Sequence, residues 1–181
     1  MAEHILEREQ IIERPREEVF NFFADAGNLE RITPPELHFQ IITPEPIEIR
    51  KGALIDYKLK LRGFPIIWKT EITQWNPPFD FIDSALKSPY KQWIHLHTFE
   101  VGQQGETIMK DIVRYRLPSE PFGDLAYFYV KRELAYIFDY RYKVIEKIFG
   151  GQKLTGKKGI DKDYLIQLKR QKNPCPSCTS L

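Results

Sequence analysis

Residues 92–116 read QWIHLHTFEVGQQGETIMKDIVRYR. Side chains alternate along a strand, so Trp93, His95, His97 and Phe99 share one face and Ile94, Leu96 and Thr98 the other. The run Gly102-Gln103-Gln104-Gly105 is turn chemistry, and an apolar, period-two stretch follows it. Centring the turn on Gln103-Gln104 predicts an antiparallel hairpin in which Phe99 faces Met109, His97 faces Asp111, His95 faces Val113 and Trp93 faces Tyr115. Met109, Val113 and Tyr115 are the apolar parity of the second strand, and Lys110, Arg114 and Arg116 the other. The hairpin therefore carries two imidazoles and a carboxylate on its greasy side.

Working outward, the same period of two recurs upstream. Leu37, Phe39 and Ile41 alternate in LHFQIIT, and Ile55, Tyr57, Leu59 and Leu61 alternate against Asp56, Lys58 and Lys60. After Gly63 and Pro65, IIWKTEITQW sets Trp68, Thr70 and Ile72 against Lys69 and Glu71, and FDFIDSALKS follows the Asn76-Pro77-Pro78 turn. Residues 3–14 predict one further strand at the start, ended by Pro15. Next, RPREEVFNFFADAGNLERI predicts a helix with Pro15 in its first turn, Val19, Phe22 and Phe23 as its apolar stripe and Asp25-Ala26-Gly27-Asn28 as a stop. Asn28 is the expected cap of a short second helix that Pro34-Pro35 closes. Downstream, residues 121–149 predict a long helix. Tyr127, Val130, Leu134, Phe138, Ile145 and Ile148 fall at three- and four-residue spacing, with Arg141 inside the stripe and Gly150-Gly151 as the stop.

The predicted fold class is α+β, a curved antiparallel sheet of about seven strands in the order β-α-α-β6-α, with one face covered by the C-terminal helix. About 28 residues of helix span ~42 Å, enough to cross such a sheet. A bent sheet and a straight rod do not touch everywhere, so an internal cavity is expected between them.

The chain has 181 residues, 42% hydrophobic and 29% charged, which excludes a largely disordered protein. No apolar run reaches the ~18–20 residues of a membrane span. The opening MAEHILEREQ lacks the apolar core of a signal peptide, so a cytoplasmic location is expected. The net charge of +2 is uneven: residues 1–150 carry −3 and residues 151–181 carry +5. A near-neutral body argues against nucleic acid as a partner. Residues 1–150 are expected to form one ligand-binding domain and 151–181 a basic, flexible tail, with weak contact to an anionic membrane surface as its one expected partner. Cys175 and Cys178 form a lone C-x-x-C in that tail, without the second pair a zinc ribbon needs.

The stretches FNFFADAGNLERITPPELHF, GALIDYKLKLRGFPIIWKTEITQWNPPFDFID and SPYKQWIHLHTFE, with the pair IVRYRLP…IFDYR, resemble the START/Bet v 1-like (SRPBCC) helix-grip superfamily over roughly residues 3–148. Within it the chain looks like the bacterial polyketide cyclase/dehydrase type. It is more distantly similar to coenzyme Q-binding START-domain proteins. The resemblance implies a helix-grip fold and a hydrophobic ligand (lipid, isoprenoid quinone or polyketide-like aromatic) bound without a cofactor.

Several side chains are candidates for the ligand site. Tyr57, Trp68, Phe81, Trp93 and Phe99 have inward parity on the strands, as does Tyr115. Phe138 and Arg141 come from the long helix. His95, His97 and Asp111 are the candidates for orienting a polar ligand end, or for general acid-base chemistry in a cyclase or dehydratase. The bland alternative is a polar network that only satisfies itself. Asp83 also faces inward; Arg141 is expected either to pair with Asp83 or Asp111 or to snorkel to the rim. No metal is expected, because His-x-His needs a third ligand and Asp111 is the only one nearby. Arg31, Ile32, Thr33 and Pro34-Pro35 are expected at the mouth, with FPII and Phe122-Gly123-Asp124 as gate segments. An adaptor role for the long helix or the tail is the remaining alternative.

Overall fold

Seven strands follow each other around one antiparallel sheet. In the computed structural model, which describes residues 2–118 and 122–150, they are β1 (His4–Ile12), β2 (Gln40–Ile41), β3 (Leu54–Leu61), β4 (Phe64–Asn76), β5 (Asp80–Lys87), β6 (Gln92–Val101) and β7 (Thr107–Arg116). Their spatial order is β1-β7-β6-β5-β4-β3-β2. Apart from β1, which closes onto β7, each strand pairs with its neighbour in sequence. Two short helices, α1 (Arg16–Ala24) and α2 (Gly27–Arg31), follow β1, and the long α3 (Phe122–Phe149) closes the chain's described part.

The β6–β7 register is the one its turn predicts: Phe99 pairs with Met109, His97 with Asp111, His95 with Val113 and Trp93 with Tyr115. The β3–β4 hairpin turns on Arg62-Gly63, both at positive φ (53° and 82°), the geometry whose twist matches that of the flanking strands.

Three departures from the expected elements have local causes. The LHFQIIT strand shrinks to two residues. Pro34 and Pro35 instead start a 3₁₀ turn, in which Leu37 N and His38 N donate to their carbonyls, and His38 leaves it at φ 43°. Asn28 does not cap α2. Asp25 Oδ1 accepts from Gly27 N at 2.9 Å, while Asn28 Nδ2 donates to the Phe22 carbonyl at the end of α1. Finally, the β4–β5 register slips twice, leaving Leu86 unpaired on β5 and Thr73 unpaired on β4. A bulge bends its strand and flips the parity beyond it. Trp75 thus turns inward with Phe81, its partner across the ladder.

The inner face divides into two clusters. One holds Val19, Phe20, Phe81, Phe99, Met109 and Ile145, where α1, the sheet and the C-terminal part of α3 meet. The other holds Leu59, Trp68, Trp93, Tyr115, Leu134 and Phe138. On the outer face Ile82, Leu96 and Ile112 form a small apolar patch of their own. No described helix is long and apolar enough to cross a membrane. Cys175-x-x-Cys178 and the basic tail lie outside the described residues.

Candidate functional site

A cavity of ≈ 180 Å³ lies between the sheet and α3. Its wall is mostly apolar. β3 and β4 contribute Ile55, Tyr57, Leu59 and Trp68; α3 contributes Leu134 and Phe138. The 3₁₀ turn and β2 side adds Leu37 and Phe39, and Ile32 and Thr33 join them on the wall.

Polar groups gather in two places. On β3 and β4, Thr70 Oγ1 accepts from Trp68 Nε1 at 3.1 Å and meets Tyr57 Oη at 2.9 Å. Burial pushes the Tyr57 phenol well above its ordinary value, so it stays a neutral hydroxyl.

The second place is the charged end. β6 supplies His95 and His97, two residues apart and therefore on one face; their rings lie 3.8 Å apart. One carboxylate stands at each edge of this imidazole pair. On one edge, Asp111 Oδ1 from β7 accepts from His95 Nε2 at 2.9 Å and lies 2.9 Å from His97 Nδ1. On the other, Asp83 Oδ2 from β5 is 2.9 Å from His97 Nε2 and 3.4 Å from His95 Nδ1. Arg141 from α3 is buried behind them, with Nη1 3.7 Å from Asp111 Oδ1. Phe81 stacks on His97 at 4.2 Å and Phe138 stands edge-on to His95 at 5.5 Å.

This packing sets the charge states. Burial lowers the His95 imidazole, helped by the charge of His97, and His95 is held neutral. Burial also works against a charged His97, but its contacts with Asp111 and Asp83 outweigh it and raise that imidazole. Desolvation would raise both carboxyls. For Asp83 the His95 and His97 contacts win and hold it low; for Asp111 they hold it well below the carboxylate range. The cluster is close to neutral: two carboxylates against one imidazolium and one guanidinium. His97 Nδ1 and Arg141 Nε and Nη1 are nonetheless buried with no hydrogen-bond partner among the described residues.

The structure gathers most of the sequence candidates. Tyr57, Trp68, Phe81, Trp93, His95, His97, Phe138 and Arg141 reach the cavity wall. Three do not. Phe99 is packed solid among Phe20, Phe23 and Phe81, and Tyr115 is covered by Tyr90, Trp93 and His4. Asp111 sits behind the imidazoles, on a narrow recess toward Arg8 and Tyr142. Arg141 does not snorkel: it is 8% exposed. The expectation that Asp111 is the only carboxylate near the histidines is corrected, since Asp83 stands as close. Sequence reasoning missed Tyr90, Ile49 and Ile137, which lie on loops or off the helix stripe. Among the expected gate segments, Phe64 of FPII is 74% exposed on the hairpin rim, and the side chains of 122–124 lie outside the described set.

This architecture is the helix-grip (START/Bet v 1-like) fold. No family model matches the chain, and no curated protein matches it in sequence. Solved structures do match in shape. The protein TTHA0849 from Thermus thermophilus is 17% identical with a TM-score of 0.62, over 81% of this chain and 95% of that one. Ara h 8.0201 is 14% identical with a TM-score of 0.56, over 81% and 99%. The di-domain ARO/CYC StfQ from the steffimycin biosynthetic pathway is 9% identical with a TM-score of 0.66, over 82% of this chain and 51% of that one. At these identities the likeness is one of fold.

Proposed function

We propose that this protein binds one hydrophobic small molecule, a lipid, an isoprenoid quinone or a polyketide-like aromatic, in the cavity under α3. One observation carries this reading: an apolar chamber of ≈ 180 Å³ whose buried and partly buried charged groups, Asp83, His95, His97 and Arg141, gather on one part of the wall. An apolar body would gain roughly 25 cal/mol per Å² of buried surface, less the cost of ordering it. Its polar end would meet the His95 and His97 edge, oriented by Asp111 from behind, and the unpartnered N–H groups of Arg141 offer donors. The shape shared with Ara h 8.0201 and the StfQ ARO/CYC agrees with such a chamber.

Native mass spectrometry of protein purified from its own host tests this. The expected result is a stoichiometric adduct of a few hundred daltons, released by organic solvent. Protein that carries no adduct and takes up no ligand from a panel of lipids, quinones and aromatic polyketides overturns the reading.

A second reading, a cyclase or dehydratase, is favoured by the His97–Asp83 contact of 2.9 Å at the cavity wall. A ligand carbon acid placed there would lose its proton to the imidazole once that ring is neutral. His97→Ala that still binds ligand but loses turnover would distinguish it from simple binding.

A further inference from the structure

The proton inventory of the charged cluster does not close. A carboxylate only accepts hydrogen bonds, and a neutral imidazole has one N–H. His95 spends its N–H through Nε2 on Asp111, while the His97 imidazolium directs one N–H, through Nε2, at Asp83 and the other, through Nδ1, toward Asp111. His95 Nδ1 then turns a lone pair toward Asp83 Oδ2 at 3.4 Å. Asp83 Oδ2 thus faces one N–H and one lone pair, and His97 Nδ1 lies 2.9 Å from Asp111 Oδ1 without a well-aligned hydrogen bond. Arg141 stands beyond Asp111 and offsets that carboxylate, whereas Asp83 opens onto the cavity.

One cation resolves all of this. Asp83 Oδ2, His95 Nδ1 and His97 Nε2 form a triangle, and Asp83, His95 and His97 bring ligand atoms within 4.8 Å of one another. Donors ~2.0–2.2 Å from a common ion fit the 2.9 and 3.4 Å edges. With an ion there, His97 Nε2 gives its proton to solvent and becomes a ligand, while Nδ1 keeps its own proton and donates to Asp111. Both rings then coordinate from the cavity edge and give their opposite N–H to one carboxylate. Metal-binding histidines are usually held in this way.

We propose that Asp83, His95 and His97 form a two-histidine, one-carboxylate site for a divalent transition-metal ion, zinc or ferrous iron, with Asp111 as the positioning residue for both rings. The two imidazole donors favour these ions over calcium or magnesium, which prefer all-oxygen shells. Three protein ligands leave positions open toward the cavity, where an oxygen of the bound organic molecule would complete the shell. The step is an exchange of a proton for a metal ion and involves no oxidation or reduction.

The test uses the full chain with Cys175→Ser and Cys178→Ser, which removes the tail thiols as competing ligands. Metal-stripped protein is titrated with Co²⁺ and then Zn²⁺. One equivalent of cobalt should give visible ligand-field bands that zinc abolishes. Asp83→Asn should weaken binding by ~100-fold or more, and Asp111→Asn by ~10–100-fold. His4→Gln and His38→Gln should bind as the parent does. If Asp83→Asn does not fold, ¹⁵N NMR of the parent decides: zinc should shift His95 Nδ1 and His97 Nε2 more than the opposite nitrogens. Absence of the bands, full binding by folded Asp83→Asn, or imidazole nitrogens that ignore zinc each overturn the proposal. Cobalt uptake by protein that takes up no lipid, quinone or aromatic polyketide from the panel would overturn the ligand-binding reading and leave the metal site standing.

Discussion

The two halves of the inner face have the same apolar pattern and opposite outcomes. Where α1 lies over β6, Phe20 touches Trp75, Phe81 and Phe99 at 5.2–6.0 Å, and Val19, Ile145 and Phe99 are at most 1% exposed. At the β3–β4 side sheet and α3 diverge; α1 and α2 reach the space with Phe23 and Leu29 but do not fill it, and Trp68, Leu59 and Leu134 line a void. The lesson is that inward hydrophobicity does not distinguish core from container. A third layer does.

Substitutions can break or sharpen this contrast. The largest expected effect is Phe20→Ala in the solid half, at about 3–5 kcal/mol of unfolding free energy in a denaturant titration. A loss below ~1 kcal/mol would show that this half is loosely packed.

Acid comes next. Asp83 and Asp111 are held low in the fold, so their contribution is present above their ordinary value of 3.8 and is lost as pH falls through the folded values. Between 3.8 and those lower values stability should fall by up to about 3 kcal/mol per pH unit, about half of it removed by Asp83→Asn. Chelated protein unfolded at a series of pH values measures this, and an unchanged slope in Asp83→Asn would contradict the shift assigned to that carboxyl.

Filling separates the halves directly. Val19→Phe should cost about 1–3 kcal/mol, since nothing there can yield, whereas Leu134→Phe should cost less than ~1 kcal/mol and reduce ligand uptake. Equal costs would mean that the void is not real. The smallest effect is Tyr57→Phe, which removes the partner of Thr70 and should cost about 0.5–1.5 kcal/mol. A stabilised variant would show that the Thr70 contact is unfavourable.

Much of this was legible in the chain. The alternation of Trp93, His95, His97 and Phe99, read with a turn at Gln103-Gln104, was enough to place Asp111 beside His97. Parity alone could not tell that Phe99 and Tyr115 would be covered while Trp93 would not, because that depends on where α1 and Tyr90 come to rest. Asp83 has inward parity in the sequence, but its place across from His95 depends on the β5–β6 register, and the connection through Ser88-Pro89 is too loose a turn to set one. Trp75 shows another gap: its parity in sequence is outward after Ile72, and only the unpaired Thr73 turns it in.

The two slips in the β4–β5 ladder have a wider meaning. Leu86 and Thr73 are surplus residues, one on each of two paired strands, and the bend they cause depends on how many residues each strand contributes and not on which side chains these are. The hollow is thus written in chain length, while its selectivity is written in the lining. Relatives of this protein could exchange every wall residue for a new guest and still inherit the same vessel; deleting a single surplus residue would remove one of its two slips.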